Sequence, residues 1–248
     1  MPRAVGPNWR FDHERLQRRL WSPALLLPAA WWDFSDLSTI QFATGASSVA
    51  DKSGNGFTAT QGTTTAQPLL ANQGLSFNGT AHFLATSGPT ITGQCTIVEV
   101  FNRATTGVAM AGLAHSVNAQ PHGMRWSAVN TATAALGNTG TTTHSPTTPT
   151  GDLVVITNRD ATNTTAFVNG VSAGAAANLT LTSQSFNAIG RRSSFFSAGI
   201  IRESMLFQRS LTALEMDQVT GALAHKYGFA SRLPATHPYR ERPPTLER

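Results

Sequence analysis

The run "CTIVEVFNR" at residues 95–103 constrains the fold more than any other stretch. A half-buried strand alternates apolar and polar side chains, but here Ile97, Val98, Val100 and Phe101 occupy both faces. Such a strand must be covered on both sides, so it reads as a central strand of a sandwich. Strand and turn signals recur at short intervals from residue 31 to about residue 210. In "GLSFNGTAHFLAT" the Asn78-Gly79 pair between two apolar runs predicts a hairpin, and Asn169-Gly170 does the same in "TTAFVNGVSAG". "DLVVITNRD" and "GIIRESMLFQRSL" read as further strands, separated by Thr/Ser/Pro loops such as "GNTGTTTHSPTTPTG".

One helix stands out against this background. In "SLTALEMDQVTGALAHKYGF", Thr212 and Glu215 form a capping box and Leu211 can staple against Met216. Met216, Val219, Leu223 and Tyr227 line one face, and Gly228 supplies the stop. This helix is expected to cover a sheet edge or one end of the sandwich. Charged residues make up only 12% of the chain, about half the usual share. Thr, Ala, Gly, Ser and Asn fill the gap, which suits a sheet- and turn-rich protein. A length of 248 residues is enough for one domain with a sizeable core.

The net charge of +5 lies entirely in the ends. Residues 31–230 carry nine Lys/Arg and nine Asp/Glu, whereas the two ends carry nine basic residues against four acidic ones. A nucleic-acid reader carries its positive stripe on a folded face, so the pattern argues against specific nucleic-acid binding. Residues 1–30 read as a basic arm with a short helix capped by Asn8, whose Trp9, His13, Leu16 and Leu20 form one apolar stripe. With so little core of its own, that helix must dock on the body or on a partner. Trp9, Leu16, Leu20, Arg18 and Arg19 are therefore candidate assembly contacts. In "RRLWSPALLLPAAWW", Pro23 and Pro28 interrupt an apolar run too short to span a membrane, and it flows straight into a strand, which argues against an export signal. Residues 31–230 read as the sandwich. Residues 231–248, "LPATHPYRERPPTLER" included, read as a Pro-rich extended arm, with Tyr239 and Arg240 as further assembly contacts.

These pieces in this order resemble the concanavalin A-like, laminin-G-type jelly-roll domain of bacteriophage structural proteins. The matching stretches are "WSPALLLPAAWWDFSDLSTI", "DKSGNGFTATQ", "LSFNGTAHFL", "TAFVNGVSAG", "FNAIGRR" and "GIIRESMLFQRSLTALEMDQVTGALAHKYG", with "LPATHPYRERPPT" at the exit. The resemblance runs from about residue 21 to residue 245. It implies an all-β, two-sheet antiparallel jelly-roll sandwich, with one C-terminal helix and a short N-terminal helical arm. It also implies a multi-copy or oligomeric virion protein, a tail fibre, spike or head decoration, whose partners are other virion proteins and a host glycan.

Candidate chemistry is sparse. In "DKSGNG", Asp51, Ser53, Asn55 and Gly56 mimic the start of a helix–loop–helix calcium loop, but position twelve is Gly62 rather than the Glu such a site needs. The first reading is a turn in which Asp51 caps its own backbone; the second, implied by related lectin-like sandwiches, is a looser calcium site on Asp51 and Asn55. No cofactor is otherwise required. The single cysteine, Cys95, opens an apolar strand and reads as a small buried hydrophobe. Some relatives of the resembled domain are glucanases, which need two carboxylates flanking the scissile bond. Glu99 and Glu203 each stand alone in a strand, and Asp33 and Asp36 fall on opposite faces if their segment is extended. The expectation is therefore a protein that is not an enzyme. For ligand binding, "QPHGMRWSAVN" offers His122, Arg125, Trp126 and Asn130, and "IGRRSSFF" offers Arg191 and Arg192 in a turn beside Phe195 and Phe196. The functional expectation is a virion protein that adheres to a host-surface glycan, with pure decoration or cementing as one alternative and a polysaccharide hydrolase as another.

Overall fold

The computed structural model describes residues 20–103, 110–111, 113–114, 122–126, 132–136, 142–144, 150–178, 184–192 and 194–246. The fold is all-β with one α-helix. Its backbone is an eight-stranded antiparallel sheet running Val171–Ala177, Asn163–Val168, Gly151–Arg159, Cys95–Arg103, Ala198–Phe207, Gly74–Asn78 and Leu69–Ala71, with the first strand, Ala30–Asp33, also pairing to Ala198–Phe207. Cys95–Arg103 is the central strand, flanked along its length by Gly151–Arg159 and by the long strand Ala198–Phe207. The long strand has two partners on its other side. Its first half pairs with Gly74–Asn78 and its second half with Ala30–Asp33, and the register shifts between Ile201 and Glu203. A six-stranded sheet packs against the large one, in the order Leu113–Ala114, Ala188–Ile189, Leu84–Thr86, Ala59–Thr60, Ala46–Val49 and Ile40–Phe42.

The central strand explains why both of its faces are apolar. Ile97 and Phe101 enter a core shared with Trp32, Phe34, Phe77, Leu84, Leu153, Phe186, Ile189 and Leu206, which lies between the sheets. Val98 and Val100 enter a second core on the opposite face, with Val154, Ile156, Met205 and Phe207. That second core is roofed by the helix Ala213–Lys226, through Val219, Leu223 and the adjoining Tyr227, together with Phe229 and Leu233. The helix thus covers the outer face of the large sheet, not an edge or an end. The reason is area: a face with five or more large apolar side chains cannot be left to water when each buried Leu, Ile or Phe contributes about 1.5–3 kcal/mol.

The helix starts and stops as its sequence dictates. Thr212 Oγ1 accepts from Glu215 N–H at 3.3 Å, and Glu215 Oε2 accepts from Thr212 N–H at 2.8 Å. Arg209 grips the same carboxylate at 2.9 and 2.7 Å, and these donors hold the Glu215 carboxyl down at about 2. Gly228 takes φ +76° just beyond the last turn. At Gly221 a Cβ would lie 2.3 Å from Tyr239 Cβ, so glycine there lets the C-terminal segment lie on the helix.

Two Asn-Gly pairs behave differently. Asn169 and Gly170 both adopt positive φ and join Asn163–Val168 to Val171–Ala177 as the predicted hairpin. Asn78-Gly79 instead makes a corner. The Asn78 side chain accepts from the N–H groups of Thr80, Ala81 and His82, and the chain passes from the large sheet to Leu84–Thr86 in the other sheet. Gly74–Asn78 finds its partners in Ala198–Phe207 and Leu69–Ala71.

Candidate functional site

The "IGRRSSFF" segment forms a small hairpin at the start of the long strand. Gly190, at φ +82°, turns the chain out of the six-stranded sheet, and a Cβ there would meet the Phe77 ring at 2.3 Å. Arg191 then pairs across the hairpin with Phe196, and Arg192 with Phe195. Arg192 is buried, whereas Arg191 is half-buried with its guanidinium 3.9 Å from the centre of the Phe83 ring and 6.0 Å from that of Phe196. A cation held over ring faces in this way gains about 0.5–2 kcal/mol. Burial lowers the pKa of Arg191, yet a guanidinium keeps its charge at neutral pH. Its Nε has no hydrogen-bond partner among the described residues, and no carboxylate there pairs with it.

The fold brings the predicted binding segments together. The strand Met110–Ala111 packs beside Phe195–Phe196, and Leu113–Ala114 beside Arg191–Arg192. Met110 and Ala111 pair in turn with Trp126 and Arg125 of the strand His122–Trp126. His122, Arg125 and Trp126 thus belong to a strand one ribbon away from Arg191 and Arg192, although some 65 residues of sequence separate them. Asn130 lies outside the described residues.

The "DKSGNG" loop is a turn. Gly54 and Gly56 take φ +87° and +80°. Asp51 Oδ1 accepts from the N–H groups of Trp31 and Ser53, both at 2.9 Å, while Oδ2 accepts from Ser53 Oγ at 2.7 Å and Phe57 N–H at 3.1 Å. Asn55 directs its Nδ2 to the carbonyl of Ala29 at 3.0 Å. A calcium ion does not fit this donor set. Both carboxylate oxygens already face N–H and O–H donors, the Asn55 amide points its nitrogen inward, and no group of three or more His, Cys, Asp or Glu side chains occurs among the described residues. The loop's work is to clamp the first strand, at Ala29 and Trp31, into its place beside the long strand.

A buried charge cluster lies immediately beyond that clamp. Asp33 and Glu203 stand directly opposite each other on the paired strands Ala30–Asp33 and Ala198–Phe207. Two like charges in that position repel, and Lys226, in the last turn of the helix, bridges them. Its Nζ lies 2.8 Å from Asp33 Oδ2 and 2.8 Å from Glu203 Oε2. Glu203 Oε1 accepts from the Trp31 indole N–H at 2.6 Å, and Oε2 accepts from the Tyr227 hydroxyl at 2.6 Å. Lys52 joins from the other side, reaching Asp33 at 3.1 Å and Asp36 at 2.7 Å with its Nζ 5.1 Å from the Trp31 ring. Asp33 and Glu203 are 3% and 1% exposed. Burial pushes the Glu203 carboxyl above the usual range, against the pull of Lys226 and Tyr227. Burial also acts upward on Asp33, but Lys226, Ser35 and Lys52 together hold it below its ordinary value. Beside the cluster opens a pocket of about 550 Å³ walled by Trp21, Trp31, Lys52, Leu223 and Lys226. Each of its carboxylates looks solitary in the sequence, because the partners are 170 residues apart and only strand pairing joins them. Asp36 leaves the strand and caps the 3-10 turn Leu37–Thr39, so Lys52 can reach both aspartates.

The segments around Leu20 and Thr245 meet next to this pocket. Leu20, 66% exposed, makes a β-bridge with Thr245, and Trp21 N–H donates to Pro244 O at 3.1 Å. Tyr239 accepts from His225 Nε2 at 2.9 Å through its carbonyl, and Arg240 donates to Leu233 O at 3.0 Å. Trp9, Leu16, Arg18 and Arg19 lie outside the described residues.

No family model and no curated protein matches this chain. Solved structures do. Trypanosoma rangeli sialidase in complex with 2,3-difluoro-KDN is similar over 88% of this chain and 38% of its own, at 14% identity and a TM-score of 0.59. The same sialidase in complex with sialic acid gives 15% identity and a TM-score of 0.54 over 88% of this chain and 37% of that one. Botulinum neurotoxin type C, which enters cells in dependence on interaction with two ganglioside molecules, is similar over 71% of this chain and 48% of its own, at 11% identity and a TM-score of 0.52. The chain therefore spans less than half the length of each. At these identities what is shared is a β-rich, lectin-like fold. The similarity also corrects one expectation: sialidases are enzymes, so a protein of this fold is not to be set apart from enzymes on the grounds the sequence offered.

Proposed function

We propose that the chain is a glycan-recognition module of a phage-type virion protein, and that it takes acidic sugars where the Arg191 hairpin packs beside Met110–Ala111, the strand that pairs with His122–Trp126. The observation that carries this reading is Arg191 itself. Its half-buried guanidinium lies 3.9 Å from the centre of the Phe83 ring and is paired with no carboxylate among the described residues. A guanidinium with no ion pair suits a sugar carboxylate, which such a fork binds through two parallel hydrogen bonds. Phe195, 40% exposed, offers the neighbouring apolar surface that a sugar ring needs. His122, Arg125, Trp126 and Asn130, marked by their residue types in the sequence, are the further proposed ligands of the sugar. Sialic acid and gangliosides, bound by proteins of similar fold, belong to this chemical class. The basic arms, with Trp9, Leu16, Leu20, Arg18 and Arg19 at one end and Tyr239 and Arg240 at the other, tie many copies to neighbouring virion proteins. That part of the reading, like the virion location, is supported by the sequence resemblance.

Calorimetric titration with sialyllactose and with lactose tests the reading. The sialylated sugar is expected to bind and the neutral one to bind more weakly. Arg191→Ala should weaken sialyllactose by about tenfold or more, a loss of about 1.4 kcal/mol, and Arg191→Lys should recover part of it. A chain that binds no member of a mixed glycan panel yet sits at fixed copy number on purified particles would replace recognition with decoration. The fold shared with sialidases supports a second reading, hydrolysis of the bound sugar. Turnover of a fluorogenic sialoside by the same preparation distinguishes the two.

A further inference from the structure

We propose that Lys226 and Glu203 close an intramolecular isopeptide bond, with Asp33 as the base that frees the amine. The cluster supplies every part of that reaction in contact. The nucleophile, Lys226 Nζ, lies 2.8 Å from Glu203 Oε2, at the carboxyl it would attack, and 2.8 Å from Asp33 Oδ2, which can take its proton. Glu203 Oε1, the atom that stays as the amide oxygen, receives the Trp31 indole N–H at 2.6 Å. A donor there meets the negative charge that develops on this oxygen during attack. Glu203 Oε2, the atom that leaves, receives the Tyr227 hydroxyl at 2.6 Å.

The step balances without an outside reagent. Lys226 ammonium passes one proton to the Asp33 carboxylate. The freed amine then attacks Cδ of the neutral Glu203 carboxyl. The C–N bond forms, the C–Oε2 bond breaks with proton transfer to the departing oxygen, and one water is released. The product is a neutral amide beside a protonated Asp33, which returns its proton to solvent. Two features of the surroundings favour it. Burial keeps Glu203 toward its neutral, electrophilic form, while the lysines keep Asp33 ionised and so open to the proton. Trp31 and Tyr227, 8% and 6% exposed, limit water at the carboxyl that would reverse the reaction. The buried ions alone are a weak source of stability, because desolvation offsets most of their attraction. An amide puts a neutral group in place of the Lys226 ammonium and fastens the C-terminal end of the helix to the long strand, near the bridge between Leu20 and Thr245.

The intact mass of the purified full chain under denaturing conditions decides the matter. The expected mass is lower than the sequence mass by one water, and tandem mass spectrometry of a digest should show a branched peptide joining Lys226 to Glu203. Lys226→Arg should restore the full sequence mass. Asp33→Asn should slow closure, so that the lighter species accumulates over incubation. A wild-type chain at full sequence mass, both freshly purified and after prolonged warm incubation, overturns the proposal and leaves an ion pair only. A deficit mapped to Lys226–Asp33, or one that persists in Lys226→Arg, overturns it equally. Because the decisive readout is the mass of the wild-type chain, it does not depend on any variant folding.

Discussion

Two charged regions of this sandwich are built on opposite plans. Under the helix, Asp33, Glu203, Lys52 and Lys226 are interlocked, every charge has an opposite partner, and two aromatic donors close the set. At the hairpin, Arg191 lies on Phe83 with no ion pair among the described residues. The first arrangement exchanges water for protein partners and so fixes the relative position of first strand, long strand and helix. The second leaves a half-buried cation stacked on Phe83, with its buried Nε lacking a partner among the described residues. The interlocked cluster is a structural joint, whereas a stacked cation with no ion pair is what the proposed recognition of an anionic sugar rests on.

Breaking the joint should have the largest effect. Lys226→Met leaves two facing carboxylates buried without their bridge, and is expected to cost about 3–5 kcal/mol. Lys52→Met removes a more exposed partner and should cost about 1 kcal/mol or less. Urea unfolding followed by circular dichroism measures both, and equal losses would contradict the place of Lys226 as the bridge of this joint. The hairpin should respond differently. Gly190→Ala strains a φ of +82° and pushes a methyl group into the Phe77 ring, at about 1–3 kcal/mol. It should also displace Arg191 and weaken sialyllactose binding, whereas Lys52→Met should leave that binding unchanged.

The smallest of the three effects is set by pH. Asp33 is held below its ordinary value, and Asp36 and Glu215 are held at about 2. A depressed carboxyl stabilises the fold above its unfolded pKa, and that stability disappears as pH falls through the folded one. The urea midpoint should therefore drop between about pH 4 and pH 2. Glu203, raised by burial, acts in the opposite sense, since its contribution is lost as pH rises. Asp36→Asn should flatten the acid limb. Arg191 keeps its charge throughout this range, so sugar binding should follow the ligand's own carboxyl and not the stability curve.

Much of the fold was legible in the residues. The central strand announced cover on both faces, the Thr212/Glu215 box and Gly228 bounded the helix, and Asn169-Gly170 made its hairpin. Each of these is a short-range effect: a side-chain alternation, a cap reaching three residues, a backbone that needs positive φ. The same local signal misled at Asn78-Gly79. Its turn chemistry is real, but turn chemistry does not specify which strands pair afterwards, and the chain changes sheets there. The candidate site was legible as segments only. "QPHGMRWSAVN" and "IGRRSSFF" were marked for their residue types, while their adjacency came from the ribbon formed by Met110–Ala111 and Leu113–Ala114.

The sequence by itself thus determined the inventory of strands, turns and one capped helix, and the neutrality of the body against its basic ends. Tertiary structure alone decided that the helix roofs a sheet face, that Asp33 meets Glu203, and that Lys226 arrives between them. Local sterics and capping are written within a few residues. Which strands and which charges meet depends on burying both faces of one sheet at once, and that condition exists only when the whole chain is folded.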